Sequence, residues 1–221
     1  AGTQDANDPY TFTYADHGSY TVTLTVSDED GGQMQDSALM TIGNAAPVGV
    51  SIALDAEANE GALVTAVLGV VSDQGTDDLT YTVNWGDGAS DTKVNDHTGF
   101  THTYLDNGEY TATLTVIDGE GGSANDTASI KVNNVAPTGA AVAAASGDEG
   151  VAIVLVVAAA ADAGDDTLTY TVNWGDGASD TKVNDHTGFT HTYLDNGLLR
   201  FVINTRVHGL NTNIFIGNQR C

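Results

Sequence analysis

The chain has 221 residues, with 30 Asp+Glu against 6 Lys+Arg and a formal net charge of −24. Phosphates are neutralised by clustered Lys and Arg, so this balance excludes a nucleic-acid binder and argues equally against an anionic membrane surface as partner. Hydrophobic residues make up 41% of the chain, enough for a core, so the acidity belongs to a folded protein and not to a disordered tail. The charge is unevenly placed. Every acid lies in residues 1–197, where only Lys93, Lys131 and Lys182 offset them, whereas 198–221 hold three arginines and no acid. The one cysteine, Cys221, leaves the body with no internal disulfide and no Cys-based metal site. The longest apolar run, Val151 to Ala161, is too short to insert in a membrane, and no signal peptide is visible. The sequence starts at Ala1 in mid-pattern, as expected of a fragment or a processed product.

In chain order, the first predicted strand carries Tyr20, Val22, Leu24 and Val26 in alternation with Thr21, Thr23 and Thr25. β-branched Thr suits the wet face of a pleated strand and the apolar set its buried face. Seven strands are then expected: Val50–Leu54, Ala62–Val71, Leu79–Trp85, Ser90–Val94, Phe100–Tyr104, Tyr110–Ile117 and Thr127–Val132. Turn signals separate them, at Asp73–Asp78, Gly86-Asp87-Gly88, Asp106-Asn107-Gly108 and Asp118–Gly122. Residues 79–108 then recur without change at 168–197, an offset of 89. The segment TYADHGSYTVTLTVSDEDGG at 13–32 likewise returns as TYLDNGEYTATLTVIDGEGG at 103–122, an offset of 90. Ala46-Pro47 has its counterpart at Ala136-Pro137, and Glu60-Gly61 at Glu149-Gly150. The chain therefore reads as the C-terminal half of one repeat (1–46), a complete repeat (47–136), and a third (137–221). The third has a matching front half (137–197) and a divergent tail (198–221). No stretch has a helical period with caps. About seven short strands per repeat point to an all-β fold of tandem immunoglobulin-like antiparallel β-sandwiches. Asp106-x-Gly108-x-Tyr110 has the layout of a tyrosine corner, and Trp85 is the expected centre of the core.

These residues resemble the PKD-like domain family, an immunoglobulin-like sandwich. The match runs through Tyr81-x-x-x-Trp85-Gly86-Asp87-Gly88, then His102-Thr103-Tyr104, then Gly108-x-Tyr110-Thr111-x-Thr113-Leu114-Thr115-Val116 and Asp118. The family's Trp-Asp-Phe-Gly-Asp-Gly is shortened here, in a form similar to tandem repeats of very large bacterial surface and secreted proteins. The resemblance covers nearly all of 1–197 and leaves out 198–221. It implies non-catalytic spacers, adhesion modules, or accessory modules of secreted hydrolases, with an extracellular, secreted or surface-attached location. Some related domains bind calcium.

No catalytic motif is present: nothing resembles Gly-x-Ser-x-Gly, His-Glu-x-x-His or a phosphate loop, so the chain is read as no enzyme. Trp85, Tyr104, Tyr110, Trp174 and Tyr193 are assigned to the core, and His102 and His191 to a structural hydrogen bond beside Tyr104 and Tyr193. Calcium is the one chemical candidate. In a sandwich of this connectivity the loops after the second and sixth strands meet where the chain enters, gathering Asp73, Asp77, Asp78, Asp118 and Glu120 beside the linker Asn44–Pro47. Asp162, Asp165 and Asp166 are the corresponding set in the third repeat. Glu60 and Asp106 face the opposite pole, and hence the next repeat. Oxygen ligands converging where domains abut suit Ca²⁺. The other reading stays open: acidic loops form turns and keep a long secreted protein soluble.

In the tail, Leu199, Phe201 and Ile203 fall on the positions of Tyr110, Ala112 and Leu114, so 198–207 can stand in for the sixth strand and Asn213–Ile216 for the seventh. If the tail does not pair, the third repeat offers open strand edges to a donor strand, and head-to-tail strand exchange with the first repeat of another copy follows. The function expected is a non-enzymatic extracellular repeat module, acting in cell-surface adhesion or as an extended spacer stiffened by calcium at its junctions. Its partners are neighbouring repeats and a surface protein or polysaccharide ligand. The alternative is an accessory polysaccharide- or protein-substrate-binding module of a secreted hydrolase, which requires an exposed aromatic strip.

Overall fold

The computed structural model describes residues 10–75, 77–143 and 145–194, and the backbone strands 198–207 and 210–220; Cys221 lies outside them. Among the described residues there are strands, turns and irregular connections, and no helix long and apolar enough to cross a membrane. The strands are β1 (Gly18–Ser27), β2 (Gln33–Ile42), β3 (Ile52–Ala53), β4 (Glu57–Asn59), β5 (Leu63–Leu68), β6 (Thr80–Asn84), β7 (Ser90–Val94), β8 (Phe100–Thr103) and β9 (Gly108–Ile117). They continue as β10 (Ser123–Asn133), β11 (Ala141–Val142), β12 (Ala152–Leu155), β13 (Val157–Ala158), β14 (Thr169–Asn173), β15 (Ser179–Val183), β16 (Phe189–Thr192), β17 (Leu198–Val207) and β18 (Leu210–Arg220). The fold is an all-β, immunoglobulin-like sandwich. In the middle repeat one sheet runs β4-β10-β9-β6-β7 and the other β3-β5-β8. The chain divides into two compact units, one of Ala1–Leu54, Thr65–Phe100 and Thr111–Ser129, the other of Asp55–Val64, Thr101–Tyr110 and Ile130–Cys221.

In the first unit, β1 and β2 form a hairpin in register from Gly18↔Ile42 to Ser27↔Gln33. Its turn is held by Asp28, whose Oδ1 accepts from the amides of Asp30 and Gly32 at 3.1 and 2.7 Å. The apolar face of this hairpin, with Val22, Leu24, Val26, Met34 and Met40, is exposed, and so is Leu39, opposite Thr21 on the other face. β6 pairs with β7 on one side and with β9 on the other, in the register Thr80↔Ile117 to Asn84↔Thr113. The period of two is realised in full here. Ala112, Leu114 and Val116 are buried while the threonines between them are exposed or half-buried. Trp85 is wholly buried and its indole N–H donates to Asp91 Oδ2 at 2.8 Å, which satisfies the polar handle of a core tryptophan.

In the second unit, the third repeat buries Ile153, Leu155, Val157, Tyr170, Val172, Trp174, Phe189 and Tyr193 in one cluster. The tail forms β17 and β18, and β17 pairs with β14 from Thr169↔Arg206 to Asn173↔Val202. An offset of 89 maps this register onto Thr80↔Ile117, so the tail backbone takes the place of the sixth strand within the same chain. The following strand, Leu210–Arg220, is longer than the expected Asn213–Ile216.

Two differences from the expected strands have local causes. The first strand of the repeat is split: Ile52–Ala53 pairs with β5, and Glu57–Asn59 crosses over to run parallel with β10. Glu-Ala-Asn has no apolar alternation, so its pairing leaves no pattern in sequence. The last strand begins at Ser123 and not at Thr127, because its polar first half is held by ladder bonds from the Asp118–Gly122 turn and buries little.

Candidate functional site

Two carboxylate clusters stand at the ends of repeats, one within each compact unit. In the second unit, Glu60 lies in the tight turn between β4 and β5, only 2% exposed. Its backbone amide donates to the Asn133 carbonyl at 3.0 Å, and that of Gly61 to the Tyr104 carbonyl at 2.9 Å, so the turn is fixed from both sides. Glu60 Oε1 accepts from the Val135 amide at 2.6 Å, whereas Oε2 is buried with no hydrogen-bond partner. The loop after β13 brings Asp162 and Asp166 to it, and one oxygen from each of the three carboxylates lies within 4.8 Å of the others. This loop is docked by the Asp165 amide, which donates to the Leu105 carbonyl at 2.7 Å.

Glycines make that approach available. Gly61 has φ +72°, and a Cβ there would stand 2.6 Å from the Ala163 carbonyl oxygen. At Gly164 a Cβ would stand 2.8 Å from Glu60 Cδ and 3.0 Å from the Leu105 oxygen. Burial pushes the Glu60 carboxyl above its ordinary range; the Val135 amide opposes this, and the charges of Asp166, Asp162 and Asp106 add to it. The loops 57–62, 104–108 and 161–167 contain no Lys or Arg to offset these acids.

In the first unit the corresponding set is Asp16, His17 and Asp77, again with one ligand atom from each within 4.8 Å. His17 Nδ1 is 3.0 Å from Asp16 Oδ1. Glu120 lies against Asp77. Desolvation, then the hydrogen bond and charge of Asp77, push its carboxyl up, and His17 opposes them. Asp118 is buried and already committed: Oδ2 accepts from Asn44 Nδ2 at 2.8 Å, and Oδ1 from the amides of Glu120 and Gly122 at 3.0 and 2.7 Å. The Asn44 bond, ahead of the turn amides, holds its carboxyl below the usual range against the cost of desolvation.

Of the residues singled out from sequence, Asp77 and Glu120 come together, with Asp118 beside them as the anchor of the Asn44 linker. Asp73 and Asp78 are not in the grouped set of Asp16, His17 and Asp77: Asp73 Oδ1 accepts from the Gln74 amide at 2.9 Å while its Oδ2 is buried without a hydrogen-bond partner, and Asp78 Oδ1 accepts from Asn95 Nδ2 at 2.5 Å. In the third repeat Asp162 and Asp166 converge and Asp165 is exposed. Sequence reasoning placed Glu60 facing the next repeat without naming it a ligand, and it missed Asp16 and His17. The signal for Glu60 was its recurrence as Glu149 in a turn that otherwise calls for small polar residues. His17 had none, since Asn107 holds its position in the next repeat.

The aromatic residues are structural. Trp174 is wholly buried and donates to Asp180 Oδ2 at 2.8 Å, as Trp85 does to Asp91; Tyr104 and Tyr193 are buried. Tyr193 donates its hydroxyl to the Trp174 carbonyl at 2.9 Å. His191 stacks on Trp174 with ring centroids 4.9 Å apart, and its Nε2 lies 2.6 Å from Asp176 Oδ2. Tyr110 is half-buried, stacked on Tyr104, and its hydroxyl donates to the Asp106 carbonyl at 3.0 Å in the corner arrangement.

Residues 44–133 match the family model of the PKD domain, and this segment belongs to that family. The block 79–108 lies inside the matched segment and recurs unchanged at 168–197. No curated protein matches the chain in sequence. Among solved structures it is similar to a tetra-tandem repeat in the extending region of a large adhesion protein, at 19% identity and TM-score 0.46, covering 93% of this chain. The chain spans 57% of that structure, little more than half. It is also similar to the chicken CNTN1 FN1-FN3 domains (10% identity, TM-score 0.27, 86% of this chain and 75% of the other). A third is dimeric latent PorU from Porphyromonas gingivalis (14% identity, TM-score 0.26, 96% of this chain and 24% of the other).

Proposed function

We propose that this chain, with a PKD domain at residues 44–133, is a non-enzymatic segment of an extracellular repeat protein, serving as a spacer or adhesion module whose repeat junctions take up Ca²⁺. The observation that carries this reading is Glu60: a 98%-covered carboxylate with one oxygen lacking any hydrogen-bond partner, placed with Asp162 and Asp166. A buried ionised carboxylate is costly unless paired or coordinated. A hard cation with oxygen ligands answers that need, and Ca²⁺ tolerates the irregular ligand sets that loops supply better than Mg²⁺ does. Glu60, Asp162 and Asp166 would hold it, and the ion would supply positive charge that ties the turn of one repeat to the loop of the next. The cluster of Asp16, His17 and Asp77, with Glu120 against Asp77, is the second candidate.

An accessory sugar- or protein-gripping role finds less support. Both tryptophans are 0% exposed, and the exposed aromatic rings among the described residues are Tyr10 and Phe12, near the start of the chain. The test is thermal unfolding of the whole chain in about 1 mM Ca²⁺ against excess chelator. Melting that rises with Ca²⁺ supports the reading, and melting that is the same in both removes it.

A further inference from the structure

The two carboxylate clusters occupy equivalent places in successive repeats. Offsets of 90 and 89 carry Asp16, His17, Asp73 and Asp77 of the first unit onto Asp106, Asn107, Asp162 and Asp166 of the second. The acids are kept, and the one change of chemistry is the imidazole of His17 where the second unit has the amide of Asn107. Both places leave buried oxygens without a hydrogen-bond partner: Asp73 Oδ2 and Asp77 Oδ2 in the first unit, Asn107 Oδ1 and Asp162 Oδ2 in the second. In the first unit a nitrogen is already gathered with oxygens. His17 Nδ1 is 3.0 Å from Asp16 Oδ1, and one ligand atom each of Asp16, His17 and Asp77 lies within 4.8 Å of the others. Gly75 keeps that approach open, since a Cβ there would stand 2.9 Å from Asp77 Oδ2 and 3.5 Å from Asp16 Oδ1. Both oxygens thus lie around one point that a side chain would fill. The Tyr20 hydroxyl donates to the carbonyls of Asp16 and His17 at 3.0 and 3.2 Å, which holds the loop that carries them. Residues 14–18, 72–78 and 118–122 contain no Lys or Arg.

We propose that the cluster in the first unit takes up Zn²⁺ in preference to Ca²⁺, through His17 Nδ1 and one oxygen each of Asp16 and Asp77. The inference rests on the reading that these junctions hold divalent cations, and it changes the ion at this one. Ca²⁺ is a hard ion that surrounds itself with oxygens, whereas imidazole nitrogen is a ligand of borderline metals. Zn²⁺ binds nitrogen and carboxylate oxygen at about 2.0–2.2 Å, with a water completing a set of three protein ligands. The His17–Asp16 separation of 3.0 Å is close to the roughly 3.3 Å between ligands of a tetrahedral ion with such bonds. The ion takes the lone pair of Nδ1, so it replaces the hydrogen bond between His17 and Asp16 and leaves the ring proton on Nε2. Asp77 Oδ2 gains the partner it lacks. In the second unit Asn107 offers an amide oxygen in place of the nitrogen, which keeps that cluster an all-oxygen set suited to Ca²⁺.

The experiment is calorimetric titration of Zn²⁺ into the whole chain near neutral pH, in a Cys221→Ser background that removes the one thiol, beside His17→Asn and Asp77→Asn. Asn is the residue that the second unit carries at the position of His17, so the fold accommodates the first variant. The expected result is a Zn²⁺ site that equimolar Ca²⁺ does not displace, and that is lost or at least about tenfold weaker in each variant. Zn²⁺ binding that is the same in wild type and either variant, or that equimolar Ca²⁺ displaces, would overturn the proposal. The same titrations with Ca²⁺, with Glu60→Gln added, tell the two readings apart. Ca²⁺ binding that depends on Glu60, with no Zn²⁺ site that depends on His17, overturns this inference alone. No binding of either ion overturns both.

Discussion

At Glu60 the carboxylate has one oxygen held by the Val135 amide and the other unpartnered, among Asp162, Asp166 and Asp106. Because its pKa is raised on folding above the ordinary 4.5, the folded state holds the proton more tightly than the unfolded one. Its contribution to stability is therefore greatest below the unfolded pKa and is lost as pH rises through the folded one. In chelator, wild type should lose stability relative to Glu60→Gln as pH rises above the ordinary 4.5 towards neutral, with the variant melting a few degrees higher at the upper end. Paired melts across that range check this, and a constant difference would count against it. A second residue-scale prediction concerns the indole partners. Asp180→Ala leaves the Trp174 N–H buried without its 2.8 Å acceptor and should cost about 1–3 kcal/mol, with Asp180→Asn milder, by denaturant unfolding.

At the scale of elements, the strands with alternating burial were legible. Ser90–Val94 has the expected bounds, and the alternation of β9 matches its buried and exposed faces. Glu57–Asn59 was not, because a three-residue parallel pairing needs no apolar alternation, and its one side-chain bond, from Asn133 Nδ2 to Glu57 Oε2 at 3.1 Å, joins residues 76 apart. The candidate site was half legible for a related reason. Period and turn chemistry assign each loop to a pole, which is how Asp77, Glu120, Asp162 and Asp166 could be grouped. Which carboxylates end within reach depends on backbone closeness, and that is set by glycines such as Gly61 and Gly164. Asp78 illustrates the loss: in sequence it is one more acid in the loop, but in the fold it binds Asn95. Gly61→Ala makes this testable. A Cβ at φ +72° costs about 1–2 kcal/mol in backbone strain and would lie 2.6 Å from the Ala163 oxygen, so the 162–166 loop must move away. Hydrogen exchange should then quicken at the Asp165 amide, which binds the Leu105 carbonyl, while amides of β14 and β15 keep their protection.

For the whole molecule, −24 over 221 residues means that general repulsion and specific cation binding both predict stabilisation by added salt. They separate by dose. Screening depends on ionic strength and needs about 0.1 M monovalent salt to bring the Debye length to about 10 Å, whereas occupation of a site saturates near its dissociation constant. Calcium at an ionic strength matched by NaCl should therefore raise the melting temperature beyond what NaCl does. The most direct measurement is calorimetric titration of Ca²⁺ into the whole chain near neutral pH, beside the same titration of Glu60→Gln. The account predicts saturable binding by wild type and at least about tenfold weaker binding, or loss of one site, in the variant. Equal binding by the two proteins, or no binding by wild type, would contradict it.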